Sequence, residues 1–214
     1  SFPTIKYLQE KKSRIILISH LGRPDGQVNE KLRLGTVARR VSELLRKPVG
    51  YVEDCIGPKV LEAVSALLPG EILLLENLRF YPGEEKNDDG FAKQLAALAD
   101  CFVNDAFSAA HRAHASTYAL AQLLPSAAGF LMQKEVEALS RIVSTPHHPF
   151  VVVLGGAKVS DKIGVINNLI ERADRLLIGG GMAFTFLKAL GKEVGKSLVE
   201  NERLAFSSDL MKRA

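Results

Sequence analysis

Short runs of β-branched and other apolar residues alternate along the chain with longer segments whose apolar positions recur at helical spacing. One of these runs, ILLLE at residues 72–76, is apolar on both of its faces, which is typical of a parallel strand covered by helices on both sides. The alternation predicts an α/β fold in which helices connect parallel strands. The predicted strands cover residues 14–19, 48–52, 72–76, 101–105, 150–154 and 175–178.

The predicted helices cover residues 34–45, 58–66, 90–99, 130–144, 160–172 and 183–189, and a last one begins near residue 202. The segment FLMQKEVEALSRIVS, residues 130–144, has helical spacing, and a new strand-and-helix series follows the STPHHP that ends it. This predicts two α/β domains, residues 1–129 and 146–214, each a three-layer parallel sheet, joined by a helical segment at 130–145. One continuous sheet with a longer connection is the alternative that the pattern leaves open.

The composition excludes several classes of protein. Of the 214 residues, 47% are hydrophobic and 24% charged, which is typical of a folded globular chain. The net charge is only +4 and the basic residues are dispersed, so small anionic metabolites are better candidate partners than nucleic acid. Cys55 and Cys101 have no disulfide or metal spacing, and we interpret both as buried thiols of a reducing compartment. Without an apolar run of about 20 residues or a leader, we expect a cytoplasmic monomer that binds no membrane.

Basic side chains follow three of the predicted strands. His20 and Arg23 lie in HLGRPDG after the first strand, Arg79 follows the third, and Arg112 lies in AFSAAHRAHAS after the fourth. Because ligands bind beyond the carboxyl ends of parallel strands, we expect these side chains to share one rim of a sheet. A guanidinium group can hold a phosphate or a carboxylate in a bidentate manner. The pattern therefore predicts a basic pocket for an acid of this kind.

The stretch AAHRAHAS, residues 109–116, allows two interpretations. His111 and His114 are three residues apart and could ligate a metal from one helix face. Arg112 between them would repel a cation, and no acidic residue or cysteine within the stretch completes a ligand set. Binding of an anion is the favoured interpretation, and a metal site is the weaker alternative.

The second half contains a strand, a glycine turn and a predicted helix in FVVVLGGAKVSDKIGVINNLIERA. Gly155 and Gly156 open the turn, Ser160 is a candidate helix cap, and Lys158 and Lys162 lie near the helix start. Backbone N–H groups, a helix N-terminus and two lysines would together suit a polyphosphate. Neither the P-loop spacing nor the G-x-G-x-x-G spacing is present, and a glycine turn without a ligand remains the alternative.

A second glycine turn lies at residues 179–181, in RLLIGGGMAFTFLKAL. Three successive glycines would leave room for a flat group, such as a nucleotide base, against the backbone. Together with the lysines of the first turn, this glycine run predicts a nucleotide site in the second half of the chain.

Taken together, these motifs resemble the phosphoglycerate kinase family, in its bacterial form. The resemblance extends along nearly the whole chain through SHLGRP, VEDCIG, LLLENLRFYPGEEKND, FVNDAFSAAHRAHAST, LPSAAGFLM, LGGAKVSDKIGVI, IGGGMAFTFLKA and GKSLVE. It implies phosphoryl transfer between ATP and the carboxylate of 3-phosphoglycerate in glycolysis, with Mg²⁺. It also implies an acid-binding domain, a nucleotide-binding domain and hinge closure about the connecting helix.

The resemblance also implies roles for individual residues. Arg112 and Lys158 would be catalytic, and Lys158 would face the transferred group. The residues that would hold the acid are His20, Leu21, Gly22, Arg23, Arg79, His111, Arg112 and His114. Those that would hold the nucleotide are Gly156, Lys158, Lys162, Gly180 and Gly181.

Some motifs of the family do not occur in these 214 residues. They are the D-x-N substrate loop and the arginine of D-T-R-I upstream, and the ribose-binding acid and the G-G-G-D-S loop with its Mg²⁺ ligand downstream. The resemblance therefore implies a fragment with an incomplete second domain, and we expect these residues alone not to turn over substrate. A non-catalytic anion- or nucleotide-binding module is the main alternative. A dinucleotide oxidoreductase is disfavoured by the absent third glycine and ribose-binding acid.

Overall fold

The structure, a computed structural model, describes residues 1–144 and 146–214. Thr145, the last residue of the predicted connecting segment, lies outside them. The chain divides into two compact units, Ser1–Ala138 and Leu139–Ala214, called the first and second unit below. The α-helices are α1 Phe2–Glu10, α2 Gly35–Leu45, α3 Pro58–Ser65, α4 Pro82–Glu85, α5 Asp89–Ala96, α6 Phe107–Ala110, α7 Leu120–Leu123, α8 Phe130–Ser144, α9 Ile163–Leu169, α10 Ala183–Ala189 and α11 Leu204–Arg213. Among the described residues, no helix is both long enough and apolar enough to cross a membrane.

The first unit contains five short parallel strands in two sheets. Strands β1 Ile15–Leu17, β2 Gly50–Tyr51 and β3 Ile72–Leu74 form a sheet in the order β1-β3-β2. Ile15 pairs with Ile72, and Gly50 pairs with Leu73. Strands β4 Phe102–Asn104 and β5 Ser126–Ala128 form a separate pair. The prediction of one sheet rim for all three basic loops is therefore wrong, because β4 pairs with β5 and not with the three-stranded sheet.

The three-stranded sheet is covered on both faces, as the apolar run ILLLE predicts. Ile72 packs in a cluster with Ile5 of α1 and Leu45 of α2. On the opposite face, Leu73 packs in the main cluster. The buried residues of that cluster include Cys55, Val60, Leu73, Leu75, Leu78, Phe91, Leu95 and Leu120. Two helical layers with a sheet between them confirm the three-layer α/β prediction for this unit.

The two cysteines differ in exposure. Cys55 is fully buried in the main cluster, and burial raises the pKa of its thiol well above the ordinary range. Cys101, directly before β4, is exposed. The prediction of a buried thiol is therefore confirmed for Cys55 and wrong for Cys101, which lies outside the paired part of its strand.

The second unit is built on two parallel strands, β6 Val151–Gly155 and β7 Arg175–Gly179. Helices from this unit pack on one face through a cluster of Val159, Ile166, Met182, Phe186 and Leu210. The predicted helix at 160–172 is instead a 3₁₀ turn, Ser160–Lys162, followed by the shorter α9. The helix predicted at 130–144 matches α8, and the one predicted at 183–189 matches α10.

Candidate functional site

The loop at residues 20–26 follows β1, and a side chain from another segment donates a hydrogen bond to its backbone. Arg79 donates from Nη1 to the Gly22 carbonyl over 2.8 Å. Gly22 itself has a φ of +67°, and an added Cβ would lie 2.8 Å from Cδ2 of Leu32. Only glycine meets both conditions without strain, so the glycine of HLGRP allows this loop to lie against the side chain of Leu32.

Arg79 is buried, with 4% of its surface exposed. It lies in the 3₁₀ turn Leu78–Phe80 after β3. Its Nε lies 3.1 Å from Oε1 of Glu85, although the N–H direction does not make this ion pair a hydrogen bond. Arg79 therefore joins two of the predicted basic loops, and Glu85, which the sequence patterns did not single out, offsets part of its charge.

The electrostatics of His20 show which charges converge in the first unit. Its side chain reaches the surface, but the protein atoms around the ring displace part of its hydration, and this lowers its pKa. The positive charges of Arg79 and Arg112 lower the pKa further, His114 contributes in the same direction, and Glu85 opposes them. Four of the predicted anion-binding residues, from three loops, are therefore close enough to act on one another.

The loop at residues 109–116 is folded back on itself after α6. Thr117 donates from its hydroxyl to the Arg112 carbonyl over 2.6 Å, and the His114 N–H donates to the same carbonyl over 3.0 Å. Arg112 is half-buried, whereas His111 is exposed. Arg23 is also exposed, and neither Arg23 nor His111 is among the largest influences on the pKa of His20.

Glu84 is a buried carboxylate beside this loop, with 2% of its surface exposed. It accepts hydrogen bonds from the Ser116 N–H over 3.0 Å and from the Ser116 hydroxyl over 2.6 Å. His114, whose side chain is 13% exposed, places Nδ1 3.7 Å from the same carboxylate. Sequence reasoning missed Glu84, because an acid in the charged run GEEKND is typical of a solvent-exposed turn.

In the second unit the two glycine turns pack directly on each other. Gly180 has a φ of +68°, and an added Cβ would lie 3.0 Å from both N and O of Gly156. A Cβ on Gly181 would lie 3.2 Å from the Cα and O of Ala157, and the Met182 N–H donates to the Gly156 carbonyl over 2.8 Å. Backbone atoms therefore occupy the side of Gly180 and Gly181 that faces the first turn, and binding of a flat base at this run stays a prediction.

Glu200 holds the segment after the first glycine turn. It accepts hydrogen bonds from the Ser160 hydroxyl over 2.6 Å and from the N–H groups of Val159 and Ser160. The Ser160 hydroxyl bond is the largest cause of the lowered pKa of Glu200, which the two N–H groups and the charge of Lys158 also favour. The prediction that Ser160 caps the helix is wrong, because this carboxylate 40 residues away takes its hydroxyl.

The two lysines of the nucleotide prediction differ in exposure. Lys158 is exposed, and Lys162 is half-buried at the start of α9. Cε of Lys162 lies 3.7 Å from the position that a Cβ on Gly156 would take. Glu200 accepts from the N–H groups of Val159 and Ser160, so these two donors are already engaged within the protein. The ammonium groups remain as candidate phosphate ligands.

Comparison with known proteins assigns the family. A model of the phosphoglycerate kinase family matches residues 1–214, the whole chain. The chain belongs to the phosphoglycerate kinase family. This confirms the family inferred from the order of motifs in the sequence.

Two relatives named phosphoglycerate kinase illustrate the extent of the match. The one from Thermomicrobium roseum is 63% identical over 204 residues, which cover 95% of this chain and 52% of the relative. The one from Moorella thermoacetica is 59% identical over 214 residues, which cover 100% of this chain and 54% of the relative. The chain thus spans about half the length of the curated relatives it matches.

Solved structures of phosphoglycerate kinases share the fold. The structure from Coxiella burnetii gives a TM-score of 0.84 at 44% identity, over 99% of this chain and 53% of that one. The structure from Pyrococcus horikoshii gives 0.84 at 36% identity, over 98% and 55%. The parallel-strand α/β architecture is therefore that of phosphoglycerate kinases.

Proposed function

We propose that this chain forms the acid-binding part and a portion of the nucleotide-binding part of a glycolytic kinase. In the reaction, the carboxylate of 3-phosphoglycerate attacks the γ-phosphorus of ATP, the bond to the β-γ bridging oxygen breaks, and 1,3-bisphosphoglycerate and ADP form. The observation that carries the proposal is the match of the phosphoglycerate kinase family to all 214 residues. Relatives of 59% and 63% identity bear the name of that enzyme.

The first unit is proposed to bind the acid. Its support is the convergence of Arg79, Arg112 and His114 on His20, with charges near enough to lower the pKa of that histidine. Such a pocket suits a small molecule with two anionic groups, because each guanidinium can pair with a phosphate or a carboxylate. The remaining members of the proposed set are Leu21, Gly22, Arg23 and His111.

The second unit is proposed to bind the nucleotide. Its support is the arrangement of Lys158 and Lys162 after a glycine turn, with Cε of Lys162 3.7 Å from the position that a Cβ on Gly156 would take. Ammonium groups at such a turn can neutralise the phosphates of ATP or ADP. Gly180 and Gly181 serve this site in the proposal by letting the second turn approach the first.

Phosphoryl transfer needs positioning and neutralisation of charge more than covalent help from the protein. In the proposal, Arg112 and Lys158 stabilise the negative charge that develops on the transferring group and its carboxylate acceptor. Within residues 1–144 and 146–214, no group of three or more His, Cys, Asp or Glu side chains is arranged to hold a metal ion. In the proposal Mg²⁺ enters with the nucleotide, and none of the described residues is assigned to it.

The same proposal includes a cytoplasmic monomer whose partners are 3-phosphoglycerate and ATP. The free state of both cysteines supports a reducing compartment. A non-catalytic binding module is not favoured, because the relatives carry the name of an enzyme.

The test uses the full-length reading frame that encodes this chain. We expect ATP-dependent formation of 1,3-bisphosphoglycerate from 3-phosphoglycerate, followed by coupled oxidation of NADH. Lys158→Met should lower kcat by about 10²- to 10³-fold, as the loss of one preorganised charge donor does. Lys192→Met, at another exposed lysine of the second unit, should leave kcat unchanged. A folded full-length protein without this activity would refute the proposal.

A further inference from the structure

We infer that Asn77 is a positioning residue: its side-chain amide sets the loop that carries Leu21 and Gly22 in the geometry that holds the acid. The inference rests on the proposed function and assigns a residue that does not itself touch the substrate. Asn77 lies shortly after β3, at the start of the 3₁₀ turn Leu78–Phe80, and is completely buried, with 0% of its surface exposed.

Three hydrogen bonds join the Asn77 side chain to three separate segments. Nδ2 donates to the carbonyl of Leu21 over 2.8 Å and to the carbonyl of Leu32 over 3.0 Å. Oδ1 accepts from the N–H of Arg79 over 3.1 Å. Both amide hydrogens and the carbonyl oxygen are thus engaged, so the position of the side chain is fixed by partners 45 and 56 residues away.

Each of these partners bears on the predicted acid site. Leu21 lies between His20 and Gly22, and the side chain of Leu32 lies against Gly22, within 2.8 Å of where a Cβ would be. The backbone N–H of Arg79 donates to Oδ1 of Asn77, and the guanidinium of Arg79 donates to the Gly22 carbonyl. One side chain therefore bonds to the loop at Leu21, to Leu32, whose side chain lies against Gly22, and to Arg79, which donates to the Gly22 carbonyl.

A buried carboxylate accepts a hydrogen bond from the backbone of Asn77. Glu76, 2% exposed, accepts the Asn77 N–H over 2.7 Å and the Leu34 N–H over 2.9 Å. Arg33 and Tyr51 donate to the other oxygen of the same carboxylate. These hydrogen bonds to Glu76 fix the backbone that carries the amide, and a residue that positions a binding loop requires such support.

The two amide hydrogens distinguish a positioning role from simple capping. As the N-cap of the 3₁₀ turn Leu78–Phe80, Asn77 needs only an acceptor for the Arg79 N–H, and Asp or Ser would supply one equally well. Only an amide also donates to two carbonyls from the same position. Variants that keep the cap and remove the donors therefore test the inference directly.

The experiment measures the binding of 3-phosphoglycerate and of ATP to the full-length protein by titration calorimetry. Asn77→Asp keeps the size and the cap but loses both donors. Asn77→Ser keeps an acceptor for the cap without adding charge, and its single, shorter hydroxyl cannot donate to both carbonyls. We expect each to raise the Kd of 3-phosphoglycerate by about 10- to 100-fold, since small misplacement of binding groups has effects of this size. The Kd of ATP should change less than about twofold. A variant that merely destabilised the whole fold would weaken the binding of both ligands.

Gln9→Glu is the matched control. Gln9 donates from Nε2 to the carbonyl of Gly70 over 3.0 Å, close to the start of β3 and away from the acid site, so it suffers the same loss of an amide donor. We expect its Kd for 3-phosphoglycerate to equal that of the wild type. An equal loss in this control, or a loss in Asn77→Asp without one in Asn77→Ser, would overturn the inference.

A further measurement needs no variant. In the wild-type protein, the side-chain amide signals of Asn77 in a ¹⁵N spectrum should shift when 3-phosphoglycerate is added, and their absence from the shifted set would overturn the inference. If the wild type fails to bind 3-phosphoglycerate, the proposed function itself fails. If the wild type binds it and both Asn77 variants bind equally well, only the positioning role fails.

Discussion

Arg79 and Arg112 differ in their exposure to solvent. Arg79 is 4% exposed and donates from Nη1 to Gly22, with Glu85 near its Nε. Arg112 is half-buried, and its backbone carbonyl is held by Thr117. A buried guanidinium that already donates to the protein has less capacity left for a ligand. We therefore expect Arg112 to contribute more to direct anion binding and Arg79 to contribute more to the shape of the loop.

Substitution of Arg112 tests this at the level of one residue. In the full-length protein, Arg112→Ala should weaken binding of 3-phosphoglycerate by about 1.5–3 kcal/mol, the range for hydrogen bonds to charged groups. Isothermal titration gives the affinity, and Arg40→Ala is the matched control, because Arg40 is an exposed arginine of α2 paired only with Glu43 in the described contacts. Equal affinity in the wild type and Arg112→Ala would remove Arg112 from the site.

The lowered pKa of His20 predicts a pH dependence. Its causes are loss of hydration first, then the charges of Arg79, Arg112 and His114, against Glu85. In the unfolded chain the pKa returns to about 6.5, so below that pH the unfolded state binds more protons than the folded state. The contribution of His20 to the free energy of unfolding therefore falls as the pH falls from about 6.5 toward the lower pKa of the folded state.

Nuclear magnetic resonance of the His20 ring measures the effect. The titration midpoint should lie below about 6.5, and Arg112→Ala should raise it because one of the repelling charges is gone. Added inorganic phosphate should also raise it if an anion occupies the pocket. A midpoint at or above the ordinary value, insensitive to Arg112→Ala, would contradict the convergence of charges on this ring.

At the scale of elements, the second unit depends on the close approach of its two glycine turns. Gly180 follows β7 in the left-handed region, and its missing Cβ allows the backbone of Gly156 to approach. Gly191, after α10, also has a positive φ of +76°, but nothing lies within 4 Å of where its Cβ would be. At both positions a Cβ would strain the backbone, and the two positions differ in the space beside them.

Alanine at each glycine separates these two effects. Gly191→Ala should lower the free energy of unfolding by about 1 kcal/mol, the cost of a Cβ in the left-handed region. Gly180→Ala should cost about 1–3 kcal/mol more, because a Cβ would also press on the neighbouring backbone. Urea denaturation measures both, and equal losses would show that the turns do not depend on their close approach.

At the scale of the whole molecule, the chain divides into two units, and each is proposed to bind a different ligand. Lys162 belongs to the second unit, Leu139–Ala214, whereas His20, Arg79 and Arg112 belong to the first, Ser1–Ala138. The stem of Lys162 lies beside Gly156 within its own unit. A change at this lysine should therefore affect one ligand only.

Lys162→Ala tests this division. In the full-length protein we expect a higher KM for ATP or a lower kcat, with the affinity of the free enzyme for 3-phosphoglycerate within about twofold of the wild type, since each ligand is proposed to bind its own unit. Steady-state kinetics and titration measure the two quantities, and Lys192→Ala supplies the control. Equal losses of affinity for both ligands would contradict the assignment of one ligand to each unit.

The sequence predicts features that depend on neighbouring residues better than features that depend on residues far apart in the chain. The helix predicted at 130–144 matches α8, because its apolar residues recur within every turn. Strand β5, Ser126–Ala128, escaped prediction because SAA contains no β-branched or large apolar residue. Its pairing with β4 depends on a partner more than 20 residues away.

The candidate site divides in the same way. The sequence by itself determined the basic and glycine-rich motifs, their order and thus the family, because residue type and local spacing carry this information. Only the tertiary structure decided that Glu84 is buried beside His114, that Glu200 holds the turn after Gly156, and that Asn77 donates to Leu21. Each of these contacts joins residues 30 to 56 positions apart. Hydrophobic periodicity has no signal at that separation, so an acid in a charged run and an amide after a strand look like ordinary surface residues until the fold brings their partners together.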